Sequence, residues 1–278
     1  METGAAPKGK ETQTDILPLV SVLVRTRNEA LALPFFWEAL RRQTIFHRTE
    51  VLVLDSGSTD DTLQFLRGTS AAVHLLSGEF NFGKSCNQLA ELATSRILIY
   101  LSAHVFLQQN NTLEELASYL EKRPHCAAYL RQIPNTILGC SAYERAYLAR
   151  RYPHGDYAVR LRAPDGFSNA ASAISKEAWE RRPFPEMHGS EDYAWAMKHL
   201  SAGGELFYLP YLEAMHSHNE NPGQVYNRVK LNVEARGMAG SRGRAAYLFA
   251  GIYWTMRRAG APHDEALRYA VAHSRAYL

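Results

Sequence analysis

The sequence predicts an α/β domain in which a mostly parallel sheet is flanked by helices, followed by a helical C-terminal extension. Three observations support this fold class. Short apolar runs of the kind found in buried strands alternate with segments of helical periodicity over most of the chain before Pro222. The spacing leaves room for one helix between successive strands, as right-handed parallel crossovers require. Beyond Pro222 the periodicity is helical to the end of the chain.

The first two predicted strands each end in a polar loop. Residues 17–24 form the first strand, and the loop 25–29 leads to a helix over 30–43. Residues 51–54 form the second strand, which leaves Asp55 at its tip. In the following turn we expect Ser58 or Thr59 to cap the next helix, with Asp60 and Asp61 at its positive end.

The middle of the chain continues the alternation. It predicts strands over 72–76, 97–101 and 126–130, with helices over about 85–93 and 112–122. The strand 97–101 is apolar throughout and turns abruptly polar at Ser102 and His104. In an open parallel sheet this strand end is where ligands bind, although a core strand running into an ordinary loop has the same pattern.

The remaining segments are shorter. Residues 131–165 lose their periodicity and are predicted to be a mobile region that faces substrate, followed by a strand over 167–174 and a helix over 176–182. A helix is expected over 191–200, with Ser190 as its N-cap. A strand over 205–209 continues as an extended segment that directs His216 and His218 to one face. Three C-terminal helices should be interrupted near 237–243 and 260–262.

The composition argues against several functional classes. The chain has 278 residues and a formal net charge of +3, with Lys and Arg spread along it, which argues against nucleic-acid binding. Cys86, Cys126 and Cys140 lack paired spacing and predict reduced thiols in a cytosolic protein. Residues 1–15 are polar, lack the apolar core of a signal peptide and are expected to be disordered. The longest apolar run, 245–256, is too short to span a bilayer.

Several motifs occur in a specific order. They are residues 20–30, the Asp-Ser-Gly-Ser-Thr-Asp run at 55–60, the Phe-Gly-Lys-Ser-Cys-Asn run at 82–87, Ser-Ala-His at 102–104, Glu-Asp at 191–192 and His-Ser-His at 216–218. This series resembles the family 2 glycosyltransferases of GT-A fold, which have a Rossmann-like sheet. The resemblance covers roughly residues 17–220. It implies a GT-A domain over 16–220, with a nucleotide-binding half (16–105) and an acceptor half (106–220), before an extension over 221–278.

The resemblance implies an inverting enzyme that transfers a sugar from a nucleotide-sugar donor to an acceptor hydroxyl. The residues that it assigns to nucleotide binding are Thr26, Arg27, Glu29, Asp55, Gly83, Lys84, Asn87 and Ser102. A carboxylate at a strand tip can accept hydrogen bonds from a base N–H or from ribose hydroxyls. Glu29 is equally compatible with a helix-start role, and Lys84 with an ordinary solvated lysine.

The sequence departs from the family pattern at the end of the fourth strand. The usual aspartate pair that binds a metal is replaced by Ser102-Ala103-His104, which weakens a site for magnesium. Imidazole is a competent ligand for manganese, and the resemblance assigns His216 or His218 to complete the metal site. The expected cofactor is therefore a divalent cation, Mn²⁺ or Mg²⁺. The alternative is that His104 contacts the donor's diphosphate directly, without a metal.

For catalysis, the resemblance places Asp192 as the general base and Glu191 as its neighbour that orients the acceptor or supports Asp192. Both carboxylates are also compatible with a plain role at the positive end of a helix. Asn169 falls where contacts to the donor or acceptor sugar are expected. The Gln-x-x-Arg-Trp signature of related processive synthases is absent, which favours a single transfer per encounter.

The expected partners are a nucleotide-sugar donor and a glycan or lipid-linked acceptor in surface polysaccharide or glycolipid assembly. The arginines around 245–256 are compatible with peripheral contact at the inner face of a membrane, with burial against the catalytic domain, or with a homodimer. The alternative function is a catalytically silent nucleotide-sugar or glycan binding module, and the presence of Asp192 argues against it. Nucleotidyltransferases and dinucleotide-dependent dehydrogenases are disfavoured because the loop 25–29 contains no glycine.

Overall fold

The computed structural model describes residues 19–164 and 166–278, so the expectation for residues 1–15 lies outside the described residues. The described strands form one nine-stranded sheet. The strands are β1 (Val20–Thr26), β2 (Thr49–Asp55), β3 (Ala72–Leu75), β4 (Ile97–Ser102), β5 (Phe106–Leu107), β6 (Cys126–Pro134), β7 (Val159–Arg160), β8 (Ala171–Ser175) and β9 (Glu205–His216).

The sheet has the order β3-β2-β1-β4-β8-β6-β9-β5, with β7 paired to β9. Strands β1 to β4 pair in parallel, as predicted. Strand β8 runs antiparallel between β4 and β6, and β6 pairs with β9 in parallel. The carboxyl ends of β1, β2, β4, β6 and β9 therefore lie at one edge. This is the edge where a ligand site is expected.

The helices lie on both faces of the sheet and at the C-terminal end of the chain. They are α1 (Leu33–Arg41), α2 (Thr62–Arg67), α3 (Phe82–Leu92), α4 (Thr112–Glu121), α5 (Ala142–Arg151), α6 (Lys176–Arg181), α7 (Glu191–Ser201), α8 (Pro222–Ala235), α9 (Arg242–Arg258) and α10 (His263–Arg275). Within the described residues, none of them is both long enough and apolar enough to cross a bilayer.

Strand β4 is apolar throughout because both of its faces are covered. Ile97, Ile99 and Leu101 belong to the core on one side of the sheet, and Leu98 and Tyr100 belong to the core on the other side. This alternation follows from the two-residue period of a strand. The prediction of a strand buried on both faces is confirmed.

The prediction of an irregular, mobile region over 131–165 was wrong for much of it. Strand β6 continues to Pro134, and residues 142–151 form helix α5. The Ser141 hydroxyl accepts a hydrogen bond from the Glu144 N–H at 3.1 Å and caps this helix. Helix α5 carries few aliphatic side chains, so its periodicity is weak. It buries Tyr143 against the C-terminal helices.

The predicted cap at Ser58 or Thr59 was wrong, whereas Ser190 occupies the predicted N-cap position but makes no capping bond. In both cases the serine hydroxyl binds elsewhere. Ser58 donates to the Asp55 carboxylate, while Asp61 occupies the N-cap position of α2. Ser190 precedes α7 as expected but has a left-handed backbone, with φ of 57°, and makes no capping bond. Its hydroxyl donates instead to Asn232 Oδ1 at 2.7 Å, which ties the start of α7 to α8.

The three predicted C-terminal helices are confirmed, and they pack against α5. Val225 of α8, Met256 of α9 and Ala266 of α10 form a third apolar core together with Tyr143. This arrangement agrees with the interpretation that the extension is buried against the rest of the chain. Cys86 and Cys126 are buried free thiols, and burial raises the pKa of each to about 12, so both remain protonated at neutral pH.

Candidate active site

The loop after β1 and the turn after β2 are joined through the Asp55 carboxylate. Asp55 is buried and accepts hydrogen bonds from the Thr26 hydroxyl at 3.0 Å, from the Gly57 N–H at 3.0 Å and from the Ser58 N–H at 2.9 Å. A carboxylate that accepts several hydrogen bonds holds its turn in one shape. Asp55 and Thr26 are therefore rigid parts of the strand edge where the nucleotide was expected.

The other residues predicted to bind the nucleotide lie around this edge. Arg27 and Lys84 are exposed, and Ser102 is half-buried, with its backbone N–H donating to the Ala170 carbonyl at 3.0 Å. Gly83 allows close packing, because a Cβ there would lie 1.9 Å from the backbone carbonyl oxygen of Pro185. Any larger residue at this position would push α3 away from the loop before α7.

Asn87 holds the same loop in place. Its amide donates to the Phe184 carbonyl at 2.9 Å and accepts from the Phe184 N–H and from the Trp179 Nε1–H, each at 2.9 Å. These bonds use both ends of the amide. The geometry thus gives Asn87 a supporting role beneath the site, and direct contact with a nucleotide stays a prediction.

Three histidines converge where β4 and β9 end. His104, His216 and His218 each offer a ring nitrogen, and these nitrogens lie within 4.8 Å of one another. The His104 and His216 rings are stacked with their centroids 5.2 Å apart. The sequence prediction that His216 and His218 share a face, close to His104, is confirmed. Such a cluster of imidazoles is a set of metal ligands or of hydrogen-bond donors to an anion.

Contacts at Nδ1 orient two of these rings, those of His104 and His216. His104 Nδ1 lies 2.8 Å from Glu29 Oε1, and His216 Nδ1 lies 2.7 Å from Gln132 Oε1. Because both partners are acceptors, each Nδ1 carries the proton and each Nε2 presents its lone pair. The buried Nε2 atoms of His104 and His216 have no hydrogen-bond partner in the described structure. Carboxylate or carbonyl support behind a free imidazole nitrogen is the arrangement found around metal-bound histidines.

Two of the three histidines, His216 and His218, are held in their neutral form. Burial, followed by the nearby His218 and His104, lowers the pKa of His216 well below its usual value. The pKa of His218 is lowered to about 3 by loss of solvation and then by His104 and Arg228. Neutral imidazoles are the form that binds cations.

Glu144 fixes the loop that carries His218. This buried carboxylate accepts hydrogen bonds from the backbone N–H groups of His218 at 2.7 Å and of Asn219 at 2.9 Å. Sequence reasoning missed Glu144 and Gln132 as supporting residues. The Ser141-to-Glu144 spacing, a helix-start signal, is the one feature that pointed to α5, on which Glu144 lies.

A carboxylate pair begins α7. Glu191 is buried, and its Oε1 lies 3.5 Å from Arg25 Nη1 and 3.5 Å from Asn169 Nδ2. The more open Asp192 accepts the Asn169 backbone N–H at 3.3 Å and its neighbour Tyr193 N–H at 2.7 Å. Asn169 therefore links the two carboxylates. Arg25 was not predicted as a site residue, because a partner 166 positions away leaves no trace in the sequence.

The environments of the two carboxylates differ. Burial, and then the charge of Asp192, raises the pKa of Glu191 from 4.5 to about 7, and Arg25 opposes this shift only in part. Asp192 faces the pocket with the remaining acceptor positions of its two oxygens. Two adjacent carboxyl groups whose environments differ in this way are suited to separate roles.

The carboxylates and histidines line one pocket of about 280 Å³. Its walls include Ser102, Asn169, Glu191, Asp192, His216 and His218. The structure therefore brings together the predicted catalytic, sugar-contacting and metal or diphosphate residues. The predicted nucleotide residues Thr26, Arg27, Glu29, Asp55 and Lys84 lie outside these walls, at the neighbouring strand edge.

Solved structures show the same fold. A mannosyltransferase from Pyrobaculum calidifontis in complex with GDP-Man and Mn²⁺ superimposes with a TM-score of 0.61 at 18% identity, over 94% of this chain and 70% of that one. S. aureus TarS 1–349 in complex with UDP-GlcNAc superimposes with a TM-score of 0.58 at 16% identity, over 93% and 89%. These likenesses show that the chain has the GT-A fold.

The sequence comparison is more specific. The family model described as glycosyl transferase family 2 matches residues 21–177, and the chain belongs to this family. Two similar relatives are the O-antigen chain rhamnosyltransferase WbaN of Salmonella anatum and the O-antigen chain rhamnosyltransferase RfbN of Salmonella typhimurium. The first is 26% identical over 76% of this chain and 70% of the relative, and the second is 24% identical over 75% and 69%.

Proposed function

We propose that this protein is an inverting glycosyltransferase that moves a sugar from a nucleotide-sugar donor to an acceptor hydroxyl, with Asp192 as the general base. One observation carries the proposal. Asp192 lies in the same pocket as His216 and His218, so a proton acceptor and a group suited to bind a leaving diphosphate face one space. Inverting transfer requires both functions on opposite sides of the reacting carbon.

Asp192 is suited to the role of base because hydrogen bonds hold its carboxylate in place and still leave it an acceptor position free. The Asn169 backbone N–H fixes one carboxylate oxygen, and the helix N–H of Tyr193 fixes the other. The acceptor hydroxyl donates its proton to the remaining acceptor position as its oxygen attacks the anomeric carbon. In this proposal Glu191 acts through Asn169 and Arg25 as a positioning residue, and Asn169 is a positioning residue before it is a sugar contact.

The residues at the histidine cluster fit a divalent cation. His104 and His216 present unpartnered Nε2 atoms, His218 lies within reach of both, and Glu29 and Gln132 hold the rings from behind. A bound cation would supply positive charge to stabilise the leaving diphosphate. The nitrogen ligand set favours Mn²⁺ or another transition metal over Mg²⁺, which prefers oxygen. Glu29 is thereby proposed to orient His104 rather than to hold the nucleotide.

The relatives suggest the sugar and the process. Both Salmonella proteins are named as O-antigen chain rhamnosyltransferases. We therefore propose transfer of rhamnose or a related deoxyhexose in the assembly of a surface polysaccharide. The acceptor is then a glycan, free or linked to a lipid.

Asp192→Asn tests the catalytic proposal. The purified protein is incubated with a panel of nucleotide sugars that includes a nucleotide-activated rhamnose, GDP-mannose and UDP-N-acetylglucosamine. Donor binding is followed by thermal stabilisation, and turnover by donor hydrolysis and by transfer to glycans. We expect the variant to keep donor binding and to lose at least 100-fold in turnover, as for removal of a general base, which contributes about 10²–10⁴-fold.

Asp264→Asn is the matched control, because Asp264 is an exposed carboxylate on α10 that pairs with Arg268 and does not line the pocket. It should leave both donor binding and turnover unchanged. Wild-type turnover in the Asp192→Asn variant would remove Asp192 as the base. Donor binding without turnover in the wild-type protein would favour the binding module instead.

A further inference from the structure

A second, larger cavity adjoins the Asp192 pocket. Its volume is about 990 Å³, and it lies between α5, α8 and α9, with the segment 153–161 and β9 closing one side. It is lined partly by aromatic rings, among them Tyr147, Tyr208 and Tyr247. Its size suits a ligand larger than one sugar ring.

The arginines in the described lining of this cavity have no acidic counterpart there. Its described lining contains five arginines and no aspartate or glutamate, and the five are Arg150, Arg151, Arg228, Arg236 and Arg244. Lys and Arg side chains focused in one concave site attract anions strongly. Arginine in particular binds phosphate oxygens through two parallel N–H bonds.

Three of these arginines have no carboxylate partner among the described residues. Their guanidinium groups lie over aromatic rings instead. Arg150 lies 4.8 Å from the Tyr247 ring centroid, Arg236 lies 4.3 Å from that of Tyr193, and Arg244 lies 5.8 Å from that of Tyr277. A ring holds a guanidinium in place without neutralising its charge. Arg228, in contrast, is paired with Glu220 at 2.7 Å.

The packing of α5 against α9 makes room for the Arg150 side chain. A Cβ on Gly251 of α9 would lie 1.8 Å from Arg150 Nη1. The absence of a side chain at Gly251 thus lets the α5 arginine reach across α9 and extend over Tyr247. This close approach distinguishes Arg150 from an ordinary surface arginine, whose side chain meets only solvent.

The cavity and the Asp192 pocket share part of their walls. Arg228 and Asn232 of α8, and Arg236 at its C-cap, line both, at a spacing of four residues that places them on one helix face. Tyr147 and Arg151 of α5 also line both, at the same spacing. The two spaces are therefore neighbours along α5 and α8.

We propose that the cavity binds a phosphate-bearing group of the acceptor, while the acceptor hydroxyl lies at Asp192. This inference rests on the proposed transferase function and adds the chemical class of its acceptor. Arg150 and Arg244 bind the phosphate oxygens, and the tyrosine walls contact the apolar or sugar portion next to the phosphate. The shared chemistry is a phosphate or diphosphate ester, attached either to a lipid or to a soluble sugar.

Direct binding tests this site without any need for turnover. The full chain is titrated by calorimetry, in chelator, with decyl diphosphate, with inorganic pyrophosphate and with decyl glucoside. We expect decyl diphosphate to bind, decyl glucoside to bind at least tenfold more weakly, and the double variant Arg150→Gln with Arg244→Gln to weaken decyl diphosphate at least tenfold. If pyrophosphate binds as tightly as decyl diphosphate, the phosphate group alone is recognised, as for a soluble acceptor. Tighter binding of the alkyl compound indicates a lipid-linked acceptor.

Arg258→Gln is the matched control, since Arg258 is exposed on α9 and lies outside the cavity lining. It should bind decyl diphosphate as the wild-type protein does. Unchanged donor-nucleotide binding shows that the double variant is folded. If the double variant does not fold, the single variant Arg244→Gln, which alters one exposed side chain, is tested in its place. Equal affinity for decyl diphosphate in wild-type and variant, or no binding to the wild-type protein, overturns the proposal. Neither outcome depends on whether Asp192 is the base.

Discussion

The buried Glu191 carboxyl should make the stability of this protein depend on pH, and Glu191→Gln should remove that dependence. Burial, and then Asp192, raises the pKa of Glu191 from 4.5 to about 7. A group whose pKa is raised on folding binds its proton more tightly in the folded state. Its contribution to stability is therefore complete below the unfolded pKa and is lost as pH rises through the folded pKa. At about 1.36 kcal/mol per pKa unit the full effect is about 3 kcal/mol, most of which falls between about pH 5 and about pH 8.

The assay is urea denaturation of wild-type and Glu191→Gln protein at those two pH values. Glutamine keeps the shape of a protonated glutamate and its contact with Asn169, so the comparison isolates the charge. We expect the wild-type free energy of unfolding, relative to the variant, to fall by about 2–3 kcal/mol from the lower to the higher pH. Glu177→Gln, at an exposed site paired with Arg181, should show no comparable change. Parallel pH profiles for wild-type and Glu191→Gln protein would mean that Glu191 ionises normally and would refute the reasoning.

Three further predictions concern packing and the histidine cluster. Gly83→Ala should lower the free energy of unfolding by about 2–3 kcal/mol in urea denaturation, because its Cβ meets backbone, while Gly243→Ala in the open face of α9 should be neutral or stabilising. Equal effects of the two would contradict the close packing at Gly83. Asn87→Ala should lower the free energy of unfolding by about 3 kcal/mol, because the substitution leaves the Trp179 indole N–H and two backbone groups unpaired. A loss below about 1 kcal/mol would contradict this prediction. Mn²⁺ should raise the melting temperature of the wild-type protein more than Mg²⁺ does, and His216→Ala should abolish that increase. An increase retained in His216→Ala would show that the ion binds elsewhere.

Much of the fold was predictable from sequence because its central strands, β1, β2 and β4, are buried on both faces. The apolar run of β4 identifies a strand without reference to its neighbours, and the glycines after α8 and α9 mark helix ends. Helix α5 was missed because aromatic and arginine side chains dominate it and few aliphatic residues mark its buried face. Its partners, the C-terminal helices, are distant in sequence. This helix is therefore stabilised mainly by tertiary packing, and its local sequence pattern is too weak to predict it.

The candidate site was predictable where its residues fall at strand ends or at the start of a helix. Asp192, His104, His216 and His218 were all expected, and the structure brings the three histidines together and places His216 and His218 in the Asp192 pocket. What the sequence left open is which groups hold the site in place. The contacts of Arg25 with Glu191 join residues that are far apart in the chain, and no local pattern encodes such a pair.

The antiparallel strand β8 has a consequence for how the chain reaches its native state. Strands β4 and β6 do not touch each other, since β8 lies between them and pairs with both, Leu101 with Ala171 and Ala127 with Ile174. During synthesis, both strands emerge from the ribosome before β8, and until β8 follows, each of them has an unpaired edge. Such edges pair readily with other chains, and contacts between distant segments form slowly. A nascent or truncated chain that stops before β8 therefore has two unpaired strand edges that favour aggregation.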